Sequence, residues 1–169
     1  TVLNTYTKND INIKWPNDLV ISQKKISGIL IETIDIDGAV GIIIGIGINV
    51  HMSKKDGKDI DQSWMSLDEA SEIINDRNEV VASLLNELFR LTNSFPVEGF
   101  KHYKSDFESL DVLKGKVCNV SSEYMDKVVE VIGVNDRGEL LVRENKKYAL
   151  ATQCIGYGMG IATIIESTN

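Results

Sequence analysis

An α+β fold with a small β-rich appendage is predicted by three features of this 169-residue chain. Alternating strands punctuated by tight-turn signals fill residues 11 to 50, helical periodicity takes over between residues 66 and 107, and short alternating strands return after "LDVLKG". We expect a mixed or antiparallel sheet packed with helices over residues 1–112 and a small β-barrel over 113–169. The length suits one domain with such an appendage and suffices to bury a core.

Ile11, Ile13 and Trp15 alternate with Asn12 and Lys14, which predicts a half-buried strand with Lys14 turned away from its apolar face. Pro16 ends regular pairing there, and Asn17 and Asp18 favour a turn. "DLVIS", the polar "QKK" and "ISGILIETI" predict two strands joined by a tight connection, and "DIDG" turns the chain into a further strand. That strand separates by parity. Val40, Ile42, Ile44, Ile46, Ile48 and Val50 form one face, expected to be core, whereas Gly41, Ile43, Gly45, Gly47 and Asn49 form the other. The second face is nearly bare backbone, which suits either tight sheet packing or close approach of a flat ligand.

Beyond a polar loop, Ser66 with Glu69 and Asp76 with Glu79 form capping-box patterns. The second opens a segment with Val80, Val81, Leu84, Leu85, Leu88 and Phe89 at helical spacing, predicted to be a core-packing helix. Pro96 suits the first turn of a following helix, where Phe100, Tyr103 and Phe107 make an apolar stripe. After residue 112, "KVCNVS", "DKVVEVIGV", "ELLVREN" and "YALAT" predict strands, with turns at "NDRG" and "ENKK".

A charged fraction of 25% and an apolar fraction of 43% favour neither disorder nor a membrane protein. The formal net charge of -7 weighs against a nucleic-acid partner, because phosphate binding needs clustered Lys and Arg. The longest apolar run, "AVGIIIGIGINV", is too short to span a bilayer, and no signal-peptide pattern is seen. Cys118 and Cys154 lack metal-ligand spacing and read as free thiols, so the expected location is cytoplasmic.

"GIGIN" lacks the third glycine and the immediately following helix of a dinucleotide fingerprint. His51 and His102 have no sequence neighbours that would complete a ligand set. What remains is the cluster Lys14, Asn17, Asp18 and Lys25 beside Gly28. Taken singly, these are solvated lysines and a turn; together with the bare glycine face they could hold an anion, its counter-ion and a flat ring.

"KWPNDLV" at 14–20, "KKISGILIE" at 24–32 and "GIGINV" at 45–50 resemble, in order and spacing, the motifs of the biotin protein ligases. The resemblance implies a class II synthetase-like catalytic domain, partial here, followed by an SH3-like domain. It also implies an activity in which MgATP and biotin give biotinyl-5′-AMP, and biotin then passes to a lysine of a biotin carboxyl-carrier domain, such as that of acetyl-CoA carboxylase. Lys25 and Lys14 are its implied catalytic residues. Lys25, Gly28 and Ile29 would meet biotin, whereas Lys14, Asn17, Asp18, Asn49 and Trp64 would meet ATP, with Asp18 able to reach Mg2+ or ribose. A homodimer through a sheet edge is a further expectation. The family's Gly-Arg-rich biotin loop has no counterpart before "KWPND", and the chain opens on Thr1, so it is expected to be the downstream part of a longer ligase that is weak or inactive alone. "CIGYGMGIAT" departs from the family's last strand region. The competing readings are a non-catalytic binding or dimerising module on the same scaffold and a lipoate-type ligase.

Overall fold

The computed structural model describes the backbone of residues 2–122, 125–143, 148–155 and 159–166, and the side chains of 2–120 and 126–143. The chain forms two compact units, Thr1–Leu30 with Ile44–Glu98, and Ile31–Ile43 with Gly99–Asn169.

The first unit opens with a 3-10 turn, Val2–Thr5, and then the strands β1 (Asn12–Lys14) and β2 (Asp18–Ile21). β3 (Lys24–Ile36) and β4 (Ala39–Ile48) follow, of which Ile31–Ile36 and Ala39–Ile43 belong to the second unit, and the four strands pair in the order β1-β2-β3-β4. Two-residue turns make both expected hairpins, but the first turns at Ser22–Gln23 and not over "QKK", so that Lys24 and Lys25 already belong to β3. Ser22 and Gln23 take φ of 47° and 67°, and Asp37 and Gly38 take 52° and 84°, the positive-φ pairs whose twist matches antiparallel strands. The Trp15–Pro16 bond between β1 and β2 is cis.

One irregularity in this sheet decides the site. Leu19 pairs with Ser27 and Val20 with Lys25, so Ile26 is an extra residue, a β-bulge. Residues three apart on a regular strand face opposite ways. The bulge cancels that alternation, so that Lys25 and Gly28 share a face while the Ile26 side chain enters the core, fully buried.

That core gathers Leu3, Ile11, Ile21, Ile26, Leu67, Ala70 and Val80. Helix α1 (Leu67–Ser71) contributes two of these, and its N-cap Ser66 accepts the Glu69 N–H at 3.2 Å, as its capping pattern predicts. The Ala70 carbonyl at its far end accepts bonds from Thr7 Oγ1 and Asn9 Nδ2 at 2.8 and 2.6 Å, tying the N-terminal segment to the helix.

Helix α2 (Arg77–Leu110) differs from expectation twice. Pro96 lies within helical backbone and does not open a new helix; the break falls at Gly99, whose φ of 65° only glycine adopts without strain. Moreover, the apolar stripe is not uniformly core. Val80 is buried, but Val81, Leu85 and Phe89, one turn apart on the flanking face, are 51%, 60% and 72% exposed. The stripe is wider than the surface this unit offers to cover it. The same correction applies to β4. Val40 and Ile42 are exposed, Ile44, Ile46, Ile48 and Val50 are only half-buried, and of these Ile48 packs on the core cluster. The expected core face is therefore buried at one end only.

In the second unit, β5 (Val117–Ser122), β6 (Met125–Val134), β7 (Leu140–Arg143), β8 (Tyr148–Ile155) and β9 (Met159–Glu166) form one antiparallel sheet in sequence order. The four predicted strands are present, and β9 is a fifth. The Asn135–Gly138 turn joining β6 and β7 lies on the helix within this unit. Phe100 covers Gly138, and Lys101 and Lys104 pair with Asp136 at 3.2 and 3.1 Å. Phe100 also meets Phe107 edge-on, ring centroids 5.7 Å apart, so these aromatics pack as expected. Cys118 is a free thiol. The Cys154 side chain, the "ENKK" turn and the middle of "CIGYGMGIAT" lie outside the described residues.

Candidate functional site

A cleft of about 540 Å³ opens on the first unit's sheet, lined by Asn17, Asp18, Lys25, Gly28 and Ile29 with Gly45 and Gly47 of β4. Each feature follows from the local chain. Asp18 and Gly28 are direct cross-strand partners, and the bulge brings Lys25 over the same spot. Lys25 Nζ lies 2.6 Å from Asp18 Oδ1, both side chains being largely shielded. A β-carbon on Gly28 would come within 3.1 Å of Lys25 Cε, 3.2 Å of Nζ and 3.3 Å of Asp18 Oδ1. The glycine makes room for the ion pair.

Asn17 anchors the adjacent edge. Its Nδ2 donates to the Ile29 carbonyl at 2.7 Å, and its own carbonyl accepts the Ile29 N–H at 2.9 Å. Both Ile29 backbone groups are thereby engaged, so Ile29 offers the cleft its apolar side chain rather than backbone bonds.

Three predicted residues do not line the cleft. Lys14 is exposed on β1, with its Cα opposite Asp18. Asn49 stands just past β4, where its Nδ2 donates to the carbonyls of Lys25 and Met65 at 3.2 and 3.3 Å and its N–H to the Ile26 carbonyl at 2.9 Å. Trp64 bridges Lys25 in parallel: the Lys25 N–H donates to Ser63 and the Met65 N–H to Lys25, each at 2.9 Å. Asn49 and Trp64 thus secure the backbone of the residue that carries the cationic end. Sequence reasoning overlooked this fastening, since a contact between residues 25 and 64 leaves no local pattern. It also overlooked Leu30 and Ile46, which line the cleft beside the glycines.

His51 pairs through Nδ1 with Asp68 Oδ2 at 2.7 Å, while Asp68 Oδ1 accepts both the N–H and the Nδ2 of Asn75 at 2.9 Å. Burial pushes the Asp68 carboxyl up, but the bonds from His51 and Asn75 prevail and hold it below its usual range. His102 meets Tyr103 edge-on. Among the described residues no group of three or more His, Cys, Asp or Glu could hold a metal ion. Asp18, the one predicted metal ligand, has an oxygen committed to Lys25. The described residues assemble no such set around Asp18.

The cleft thus sets the Lys25–Asp18 ion pair beside a glycine-lined strand. Residues 2–49 match the Biotin/lipoate A/B protein ligase family. The chain is 39% identical over 147 residues to the Bifunctional ligase/repressor BirA of Escherichia coli, covering 85% of this chain and 45% of that protein. It is 32% identical over 139 residues to the same-named protein of Bacillus subtilis, covering 80% and 42%. The apo structure of the biotin protein ligase from Aquifex aeolicus superimposes with a TM-score of 0.76 at 26% identity, covering 98% of this chain and 70% of that one. These likenesses make the chain similar to the biotin protein ligases, and it spans less than half the length of the curated relatives it matches. No described helix is long and apolar enough to cross a membrane.

Proposed function

We propose that this chain is the downstream part of an ATP-dependent biotin ligase, residues 1–112 contributing to the catalytic domain and 113–169 forming a small SH3-like barrel. The observation that carries the reading is the Lys25–Asp18 ion pair over Gly28 in the cleft. Biotin and MgATP are the substrates, the metal arriving with the nucleotide. A carboxylate oxygen of biotin bonds to the α-phosphorus, the bond from that phosphorus to the bridging oxygen of the β-phosphate breaks, and pyrophosphate leaves. Negative charge concentrates where carboxylate and phosphate meet, and a fixed ammonium there stabilises the transition state more than the separated substrates.

Lys25 takes that role. Asp18 holds its Nζ over the cleft until the substrates share it, while Lys14, exposed across from Asp18, adds positive charge at the phosphates. Gly45 and Gly47 let flat rings approach the backbone. In the second half-reaction the amine of a carrier-domain lysine attacks the acyl carbon and AMP departs, so the partner is a biotin carboxyl-carrier domain such as that of acetyl-CoA carboxylase, in the cytoplasm.

Calorimetric titration with biotinol-5′-AMP, a stable mimic of the adenylate, tests the reading. The protein should bind it in preference to the lipoyl equivalent, and Lys25→Ala should weaken binding by about tenfold or more, the worth of a charge-assisted bond. Equal affinity for the lipoyl compound would point to a lipoate-type ligase. Failure to bind either would leave the scaffold as a non-catalytic module.

A further inference from the structure

Two segments that lie outside the strands both grip Lys25. From one side Met65 donates its N–H to the Lys25 carbonyl at 2.9 Å, and from the other Asn49 directs its Nδ2 to the same carbonyl at 3.2 Å while its N–H reaches the Ile26 carbonyl. A brace of two parts holds only as well as the parts are held to each other. The N–H groups of Leu67 and Asp68 donate to the carbonyls of Asn49 and Val50 at 2.6 and 3.2 Å, and one residue further along, His51 Nδ1 meets Asp68 Oδ2 at 2.7 Å. Asp68 is itself anchored. Its Oδ1 accepts the N–H and the Nδ2 of Asn75 at 2.9 Å, and Asn75, only 4% exposed, also gives its Nδ2 to Ser71 Oγ at 2.8 Å. A carboxylate fixed on α1 therefore ends on an imidazole at the exit of β4.

The His51 side chain is 41% exposed, and a pair at that exposure adds little to global stability. Its place in the chain matters more, because it closes a ladder two residues beyond the Asn49 amide that caps Lys25, where it governs local opening rather than unfolding of the whole unit. We propose that His51 and Asp68 are positioning residues for Lys25: their pair latches the exit of β4 to α1 and so keeps the brace of Asn49 and Met65 closed on the Lys25 backbone. The proposal rests on the reading of Lys25 as the ammonium that meets the adenylate. A lysine with a loose backbone spreads its Nζ over a wider volume, and a ligand must then offset the entropy of fixing it.

His51→Ala opens the latch at an exposed position where the fold tolerates truncation, and His51→Gln returns a side-chain donor to Asp68. Amide hydrogen exchange followed by nuclear magnetic resonance in the ligand-free chain reads the brace directly. In His51→Ala the N–H groups of Lys25, Asn49 and Met65 should exchange about two- to fivefold faster, the scale of one partly exposed pair, whereas that of Ile29, bonded to Asn17 at the cleft edge, should not change. His51→Gln should recover most of the protection. Titration with biotinol-5′-AMP reads the consequence. His51→Ala should weaken binding by a similar factor in the parent chain and have no effect in the Lys25→Ala background, since a residue that acts through Lys25 has nothing left to position there. Unchanged exchange at Lys25 would overturn the latch, and equal weakening in both backgrounds would overturn its action through Lys25. A parent chain that fails to bind biotinol-5′-AMP would remove the ligase reading and the ligand's share of the proposal with it, while the exchange rates still decide the latch on their own.

Discussion

Gly28→Ala separates a positioning role for Gly28 from a purely structural one. The added methyl would lie 3.1 to 3.3 Å from Lys25 Cε, Lys25 Nζ and Asp18 Oδ1, inside the roughly 3.5–4.0 Å at which heavy atoms pack without strain. Each neighbour must retreat by a few tenths of an ångström. Two of the three contacts are to the flexible end of a lysine that can swing toward the open cleft, so the folding cost should stay below about 1 kcal/mol. At this chain length that is a shift in Tm of no more than about 2–4 °C. The functional cost is larger, because a reacting group misplaced by about 1 Å can lose as much as about a hundredfold in rate. Differential scanning fluorimetry beside the biotinol-5′-AMP titration, with biotin-dependent exchange of pyrophosphate into ATP followed in the longer ligase that carries this chain, reads both quantities. Ligand affinity or exchange should fall by about tenfold or more while Tm barely moves. A drop in Tm large enough to account for the loss would make Gly28 a packing residue, and undiminished affinity and exchange would remove the Lys25–Asp18 pair from the site.

Three further outcomes follow from the geometry. Asn49→Ala strips the Lys25 and Met65 carbonyls of a shared donor and should cost about 1–3 kcal/mol in denaturant unfolding, whereas a residue that only reads a ligand would cost almost nothing. Val80→Ala should destabilise by about 1–3 kcal/mol and Leu85→Ala by less than about 0.5, so equal effects would contradict the burial described for α2. Burial pushes the Asp111 carboxyl above its ordinary value of 3.8, against the opposing bonds from Leu113 and Lys114, and Oδ2 has no hydrogen-bond partner among the described residues. The folded state therefore binds this proton more tightly than the unfolded chain, and the contribution of Asp111 to stability is lost as pH rises from about 3.8 through the folded value. Asp111→Asn should gain on the parent between acidic and neutral pH in a series of thermal melts, and parallel curves would refute the burial of that charge.

The hairpins were readable because their turns have local chemistry. "DIDG" places the second turn at Asp37 and Gly38, whereas the first falls at Ser22 and Gln23, one residue ahead of the expected "QKK"; all four take the positive φ such turns require. The polar members of the site were readable through motif resemblance, and the cleft brings Asn17, Asp18, Lys25 and Gly28 together. The bulge at Ile26 was not readable. Its neighbours are ordinary strand residues, and the extra residue is specified by the core position that takes the isoleucine side chain, which is a tertiary fact. Periodicity also misjudged depth. Val40, Ile42, Val81, Leu85 and Phe89 carry the pattern of buried faces, yet a pattern states only which residues share a face and not whether another surface covers it.

The bulge and the fastening of Lys25 solve one problem between them. A long, flexible lysine loses side-chain entropy when it is held in place, so a site that depends on its ammonium gains from a rigid base and from a short tether near the tip. Here the base is the Lys25 backbone, bonded to Ser63 and Met65 and capped at its carbonyl by Asn49, and the tether is Asp18. The bulge aims the side chain at that tether, and the absent side chain of Gly28 leaves the path clear. Removing Asp18 alone would leave the base intact and free the tip. Asp18→Asn should therefore preserve Tm while weakening adenylate-mimic binding less than Lys25→Ala does. The reverse order of effects would mean that the carboxylate, and not the ammonium, is the group that meets the ligand.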